Sequence, residues 1–260
     1  MKISIIGCGW LGFPLATDFL NSGFSVNGST TSEEKLDLLS QNGINPFLID
    51  LNTSTDFRSF LDGADIILVN VPPKASATNQ LGYVDKMRTI LSNIHVSGLK
   101  NVIFISSISV YADENQVVTE RTPTSETTYA RQLTEAENVF RADATLNTTI
   151  LRLGGLIGGE RHPIKSLSGR TNLQNPNAPV NLVQRDDCIK IIREIVSKKI
   201  WDETFNVVSP HHPSKVDYYS QKATDLNLAL PQFDFSNPSI GKIVNSHKIT
   251  DRLNFTFSAL

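Results

Sequence analysis

The sequence predicts an α/β protein built on a doubly wound parallel sheet, with a small C-terminal α/β lobe. Three observations carry this. Short apolar runs alternate with helical periodicity over residues 2–51 in the order βαβαβ. A glycine cluster, Gly7-Cys8-Gly9-Trp10-Leu11-Gly12, stands between the first run and the first helical segment. The runs at 64–71 and 101–106 are nearly continuously apolar, as strands are when helices cover both faces of a parallel sheet.

In order along the chain, residues 2–6 form the first strand. Residues 11–21 carry helical periodicity through Leu11, Leu15, Phe19 and Leu20 until Gly23. Residues 24–26 make a second strand, 33–41 a second helix and 46–51 a third strand, with Asn42-Gly43 closing the helix between them. Between the apolar strands at 64–71 and 101–106, residues 83–93 are helical by pattern. A longer helix follows at 127–141, and 148–153 returns as a strand. Gly154-Gly155, Gly158-Gly159, Pro163, Gly169, Pro176 and Pro179 then mark a loop-rich insertion. Residues 180–183 and 204–208 read as strands flanking a helix at 186–198, and 216–260 as a small α/β lobe whose clearest strand is 241–244.

The 260 residues suit either one large α/β domain or a nucleotide domain with a smaller lobe. The expected division is residues 1–157 and 158–260, with some segments of the second part returning to the main sheet. Hydrophobic residues make up 40% and charged residues 19%, and no apolar run approaches the roughly 18 residues of a membrane span. The opening apolar run enters glycines directly, without the longer core and cleavage site of an export signal. A net charge of −2 implies no general attraction for nucleic acid. Two cysteines are too few for a disulfide framework, so the cytoplasm is the expected compartment. Oligomeric state stays open.

The glycine cluster fits G-x-G-x-x-G, the dinucleotide fingerprint of the Rossmann fold, and it follows a strand and opens a helix as that fingerprint requires. Gly7 serves the turn, Gly9 the approach of the pyrophosphate and Gly12 the packing of the helix, with Trp10 and Leu11 between them. At the end of the second strand no acid is present to accept from an NAD ribose. Ser29, Thr30, Thr31 and nearby Lys35 instead offer hydroxyls and a cation for a 2′-phosphate, which favours NADP and leaves NAD as the alternative. A second reading explains the same letters: Thr31 and Ser32 cap the next helix, with Thr31 and Glu34 forming a capping box. Asp50 and Leu51, at the third strand's end, are placed near the adenine, where Asp50 is an acceptor or only a turn former. Val71 and Pro72, after the fourth strand, are placed beside the cofactor ribose, although a Pro there needs no role beyond stopping the strand.

Ser106-Ser107-Ile108-Ser109-Val110-Tyr111 resembles the S-S-x-x-V-Y segment of the extended short-chain dehydrogenases/reductases, the superfamily of nucleotide-sugar epimerases and dehydratases. Residues 129–137, Tyr-Ala-Arg-Gln-Leu-Thr-Glu-Ala-Glu, resemble that family's Y-G-x-S-K-L-E-A-E helix. Leu151-Arg152-Leu153-Gly154-Gly155-Leu156-Ile157-Gly158 resembles its R-x-x-x-x-Y-G segment. Residues 183–187 and Phe205-Asn206-Val207 are similar to later landmarks. The resemblance implies Ser107 and Tyr129 as catalytic residues, with Ser109 near the substrate. It also implies a lysine one helical turn after Tyr129, whose charge favours phenolate; this chain has Leu133, and Arg131 at i+2 points to another face. With G-x-G-x-x-G in place of the family's G-x-x-G-x-x-G, these departures resemble the atypical branch. Tyr129, Leu133, Ala136 and Phe140 also read as an apolar helical stripe.

Arg161 resembles the loop arginine that holds substrate phosphates in the family, although the general exposure of arginine favours a solvated loop residue. His211-His212 lacks partners at a ligand spacing, so no metal is expected. Asp186-Asp187 reads as a helix N-cap. The expectation is an NAD(P)-binding oxidoreductase or epimerase acting on a small molecule such as a nucleotide sugar. A redox-sensing protein that binds NADP without reacting it is the alternative that Leu133 raises. A hydroxyacid dehydrogenase with an all-helical second domain is opposed by the strand-like segments at Val180 and Phe205.

Overall fold

A computed structural model describes residues 1–73 and 82–260. The chain opens with β1 (Lys2–Ile6), α1 (Gly12–Asn21), β2 (Ser25–Thr30), α2 (Leu36–Gln41) and β3 (Asn45–Leu48). Then come α3 (Arg58–Leu61), β4 (Ile66–Val69), α4 (Tyr83–Ser97), β5 (Asn101–Ser107), β6 (Gln116–Val118) and α5 (Thr128–Arg141). The remainder holds β7 (Asn147–Leu153), β8 (Gly155–Ile157), α6 (Ile164–Leu167), β9 (Leu182–Gln184), α7 (Arg185–Ser197) and β10 (Thr204–Val207). It ends with α8 (Lys215–Asp225), β11 (Lys242–Val244) and α9 (His247–Leu253).

The main sheet has seven strands in the order β10-β7-β5-β4-β1-β2-β3. The pairs β1/β2, β1/β4, β2/β3 and β4/β5 are all parallel. This is the doubly wound order predicted, and its reversal lies between β1 and β4, where ligands enter such sheets.

Two compact units divide the chain. The first comprises Met1–Val110, Glu126–Leu151 and Ile192–Thr204. Its core is made of the buried strand residues Ile3, Ile5, Ile67 and Ile103, with Leu15 and Phe19 of α1, Met87 and Ile90 of α4, and Leu133 and Phe140 of α5. Such burial is what ties apolar strands and amphipathic helices together, at about 25 cal/mol per Å² removed from water.

The second strand runs four residues beyond the apolar run that predicted it. Asn27, Ser29 and Thr30 are buried yet polar, and Asn27 is satisfied by donating to the Phe60 carbonyl at 2.7 Å and accepting from Asn45 at 3.0 Å. A buried polar residue that finds partners is stable in a strand, and hydrophobicity alone does not reveal it.

The second unit comprises Tyr111–Ser125, Arg152–Ile191 and Phe205–Leu260. It holds two small parallel sheets, β6/β11 and β8/β9. Its apolar cluster gathers Ile157, Ile164, Val180, Leu182, Tyr218 and Tyr219. The segment read as a loop-rich insertion thus contains β8 and α6, elements of three and four residues that are too short to show periodicity.

Candidate functional site

The glycine turn is built by what surrounds it. Gly7 has φ +100°, a conformation a side chain rarely adopts, and a Cβ there would lie 2.4 Å from the Asn70 carbonyl oxygen. A Cβ on Gly12 would lie 2.3 Å from the Gly7 carbonyl oxygen, so α1 starts against the turn with no space for a side chain. Gly9 differs: it is exposed, and nothing stands within 4 Å of where its Cβ would be. The protein therefore requires glycine at 7 and 12, while position 9 is left clear toward solvent.

Hydrogen bonds fix the turn from both neighbouring strands. From β2, Ser29 Oγ accepts from Gly7 N at 3.0 Å and the Ser29 carbonyl accepts from Cys8 N at 2.8 Å. From the end of β4, Asn70 Nδ2 donates to the Gly7 carbonyl at 2.9 Å, which also accepts from Gly9 N at 2.8 Å. Cys8 packs its sulfur under Gly28, where a Cβ would come within 2.8 Å of it, and burial pushes its thiol up to about 12. It is a packing group rather than a nucleophile at neutral pH. Leu11 is buried and leads into α1 without a side-chain cap. The first-turn amides of that helix are the kind of donors an anion satisfies. Trp10, half-buried, stands between Gly9 and Leu11.

The residues read for the adenosine end divide by exposure. Ser29 and Thr30 are buried, and Thr30 Oγ1 accepts from Ser32 N at 3.2 Å. Thr31 and Lys35 are exposed, and Ser32 makes no cap bond to the short helix it precedes. Asp50 accepts from both Asn52 N and Asn52 Nδ2, at 3.0 and 2.7 Å, which is the geometry of a turn former; Leu51 beside it is buried. Val71 is half-buried and its carbonyl accepts from the Tyr83 hydroxyl at 3.0 Å, while Pro72 is exposed.

Ser107 closes β5, and its Oγ accepts from Ser109 N at 3.1 Å and donates to Ser109 Oγ at 3.0 Å. Tyr129 lies in the first turn of α5, capped by Thr127, and is 50% exposed. This helix packs on β5, on α4 and on the 3₁₀ turn Ile108–Val110 that follows Ser107, which brings both residues into one region of the first unit. Leu133 is buried in the core, and Arg131 is held away by Glu126 at 2.7 Å.

Sequence reading missed three residues of this region. One is Asn70. Another is Tyr83, buried, its hydroxyl held well above its usual range chiefly by burial. The third is Glu137, fully buried, which accepts from Ser106 Oγ at 2.6 Å and from Arg141 at 2.9 Å. A polar residue ending the apolar run before Pro72-Pro73 was the available signal for Asn70.

Three landmarks of the resemblance meet in the second unit. The Tyr111 hydroxyl donates to Asn206 Oδ1 at 2.8 Å and accepts from Arg152 Nη1 at 2.7 Å, with the Arg152 guanidinium over the Tyr111 ring. All three are buried. Arg161 is exposed, and its backbone pairs with Gly158 in a tight turn. Asp187 is not a simple cap: it is buried and holds Ser258 through two bonds of 2.8 Å. Among the described residues no three His, Cys, Asp or Glu gather as metal ligands, and no helix is long and apolar enough to cross a membrane.

Residues 7–197 match a family described as NAD(P)H-binding. Protein YeeZ of Escherichia coli (strain K12) is 31% identical over 263 residues, 98% of this chain and 95% of that protein. UDP-glucuronic acid 4-epimerase from Bacillus cereus, in complex with UDP-glucuronic acid and NAD, superposes with a TM-score of 0.82 at 18% identity, covering 100% of this chain and 95% of that one. MoeE5 in complex with UDP-glucose and NAD gives 0.82 at 18% identity, covering 100% and 94%. With its glycine turn at the β1/β4 reversal of a doubly wound sheet, the chain belongs to the NAD(P)H-binding family and has a Rossmann fold like that of these epimerase structures.

Proposed function

We propose that the chain is an NADP(H)-dependent oxidoreductase or epimerase acting on a hydroxyl or carbonyl of a nucleotide sugar or similar small molecule. The observation that carries this reading is the placement of Tyr129 on a helix packed against the turn that follows Ser107. The UDP-sugars held by MoeE5 and by the Bacillus cereus epimerase support the substrate class.

The glycine turn fits a dinucleotide because glycine at 9 is required by nothing inside the protein. Gly7, Gly9 and Gly12, with Trp10 and Leu11, would hold the diphosphate. Exposed Thr31 and Lys35, with the hydroxyls of Ser29 and Thr30, would face a 2′-phosphate, and Val71 and Pro72 the ribose. Bound there, the nicotinamide supplies the hydride donor or acceptor. Ser107 turns its hydroxyl from Ser109 to the substrate oxygen, and half-exposed Tyr129 exchanges the proton with it. Two free, buried cysteines fit a reducing cytoplasm.

Buried Leu133 favours one second reading, a sensor that binds the cofactor without turning it over, because an alkyl side chain stabilises no phenolate. One experiment separates the two. NADPH and NADH are titrated by fluorescence, and turnover is followed over a panel of UDP-sugars. The enzyme reading expects tighter binding of NADPH, and turnover lost in Tyr129→Phe with cofactor affinity kept. Cofactor binding with no turnover in wild type, and turnover gained in Leu133→Lys, supports the sensor.

A further inference from the structure

We propose that Asn70 is the positioning residue of the dinucleotide cradle, acting through the Gly7 peptide; this rests on the reading of the glycine turn as the diphosphate site. Asn70 stands at the sheet reversal, where β1 and β4 end side by side. Its backbone N donates to the Ile6 carbonyl at 2.9 Å, which extends the β1/β4 pairing by one residue. Its side-chain amide then crosses to the turn and donates to the Gly7 carbonyl at 2.9 Å. Its own carbonyl occupies the space a Gly7 side chain would need, and its Nδ2 lies 3.1 Å from where a Gly12 Cβ would stand.

The effect is to fix which way a peptide plane faces. Gly7 has φ +100° and no side chain, so nothing in its own chemistry selects one orientation of its carbonyl. Two bonds to that oxygen, from Gly9 N and Asn70 Nδ2, turn it inward, while Ser29 takes Gly7 N. With the carbonyl inward, the Gly9 amide bonds to it and the amides at the start of α1 keep their place beyond the turn. A carbonyl facing outward would oppose an anion. The position needs a short donor: alanine leaves the Gly7 oxygen with one partner, and an aspartate of the same shape sets carboxylate oxygen against carbonyl oxygen.

Asn70→Ala and Asn70→Asp are compared with wild type by calorimetric titration of NADPH and NADH, with far-UV circular dichroism and the melting midpoint of the unliganded protein. Both variants are expected to lose about tenfold or more in affinity, about 1.4 kcal/mol, with the unliganded midpoint lowered by only a few degrees. The loss in Asn70→Asp is expected to shrink as the pH falls through the carboxylate range, because a protonated carboxyl donates again; wild type shows no such trend. The isosteric Asn70→Asp carries the comparison should Asn70→Ala lose its native spectrum. Affinity within twofold of wild type in folded variants overturns the role of Asn70 and leaves the cradle standing. A wild-type protein that takes neither dinucleotide overturns the cradle and the inference together.

Discussion

The glycine turn of the first unit and the Tyr111 cluster of the second are both assembled from segments distant in sequence, and they are built in opposite ways. The turn removes side chains so that the backbones of β1, β4 and α1 can meet; the cluster fills its interior with a tyrosine, an arginine and an asparagine that bond to one another. The turn's amides at Gly7, Cys8 and Gly9 bond to Ser29 and to the Gly7 carbonyl, and what is left clear is the side-chain position of Gly9, whereas the cluster's side chains bond to one another. Two groups of residues that stand out equally in the sequence thus have different uses, and the difference is seen in where each hydrogen bond ends.

The largest effect is expected where the turn is closed. Gly7→Ala places a side chain at positive φ and drives it into the Asn70 carbonyl, at a combined cost of about 2–5 kcal/mol. Gly9→Ala meets no atom within 4 Å, so urea unfolding should move by no more than about 0.5 kcal/mol. On the proposed placing of the diphosphate at this turn, the alanine methyl would stand in its approach, so NADPH affinity should fall. Equal destabilisation by the two alanines would break the distinction between a glycine the protein needs and one its ligand needs.

Tyr111→Phe tests the other side of the comparison. It removes the hydroxyl that receives Arg152 and supplies Asn206, leaving buried polar groups short of a partner, which costs about 1–3 kcal/mol. Chemical denaturation should register that loss while NADPH affinity stays within twofold of wild type. A large change in cofactor affinity would mean that the cluster belongs to the binding site.

The same contrast explains what was legible in the sequence. The strands β1, β4 and β5 and the helices α4 and α5 were readable because burial imposes period and apolarity on them. The full length of β2 was hidden because Asn27 and Ser29 are buried through hydrogen bonds that only the folded sheet supplies. The glycines of the turn were found from their spacing, but Asn70 is 63 residues from Gly7 and no local pattern ties them. Tyr111, Arg152 and Asn206 were noticed as landmarks without a reason, and the reason is a three-way contact between distant segments. The residues for which sequence gave two readings, such as Asp50, are those whose partners lie within a few positions, where a turn former and a ligand acceptor carry the same letter.

The smallest expected effect concerns a group that belongs to neither construction. His162 Nδ1 accepts from Ile164 N at 3.1 Å, so the neutral ring carries its hydrogen on Nε2 and donates it to the Tyr218 hydroxyl at 2.9 Å. Protonation would put a second hydrogen on Nδ1, facing the Ile164 N–H. Burial above all, and then the positive charges of Lys222 and Lys165, hold the imidazole below the usual histidine range. The folded protein therefore binds this proton less readily than the unfolded chain. Stability from this group is complete above the unfolded value of about 6.5 and is lost as the pH falls through the folded value below it. Melting midpoints measured from about pH 7 to about pH 5 should decline more steeply in wild type than in His162→Phe, which keeps a ring against Tyr218 and Tyr219 but takes up no proton. Parallel profiles would show that the ring takes up its proton as readily in the fold as in the unfolded chain, and that the Ile164 amide is satisfied some other way.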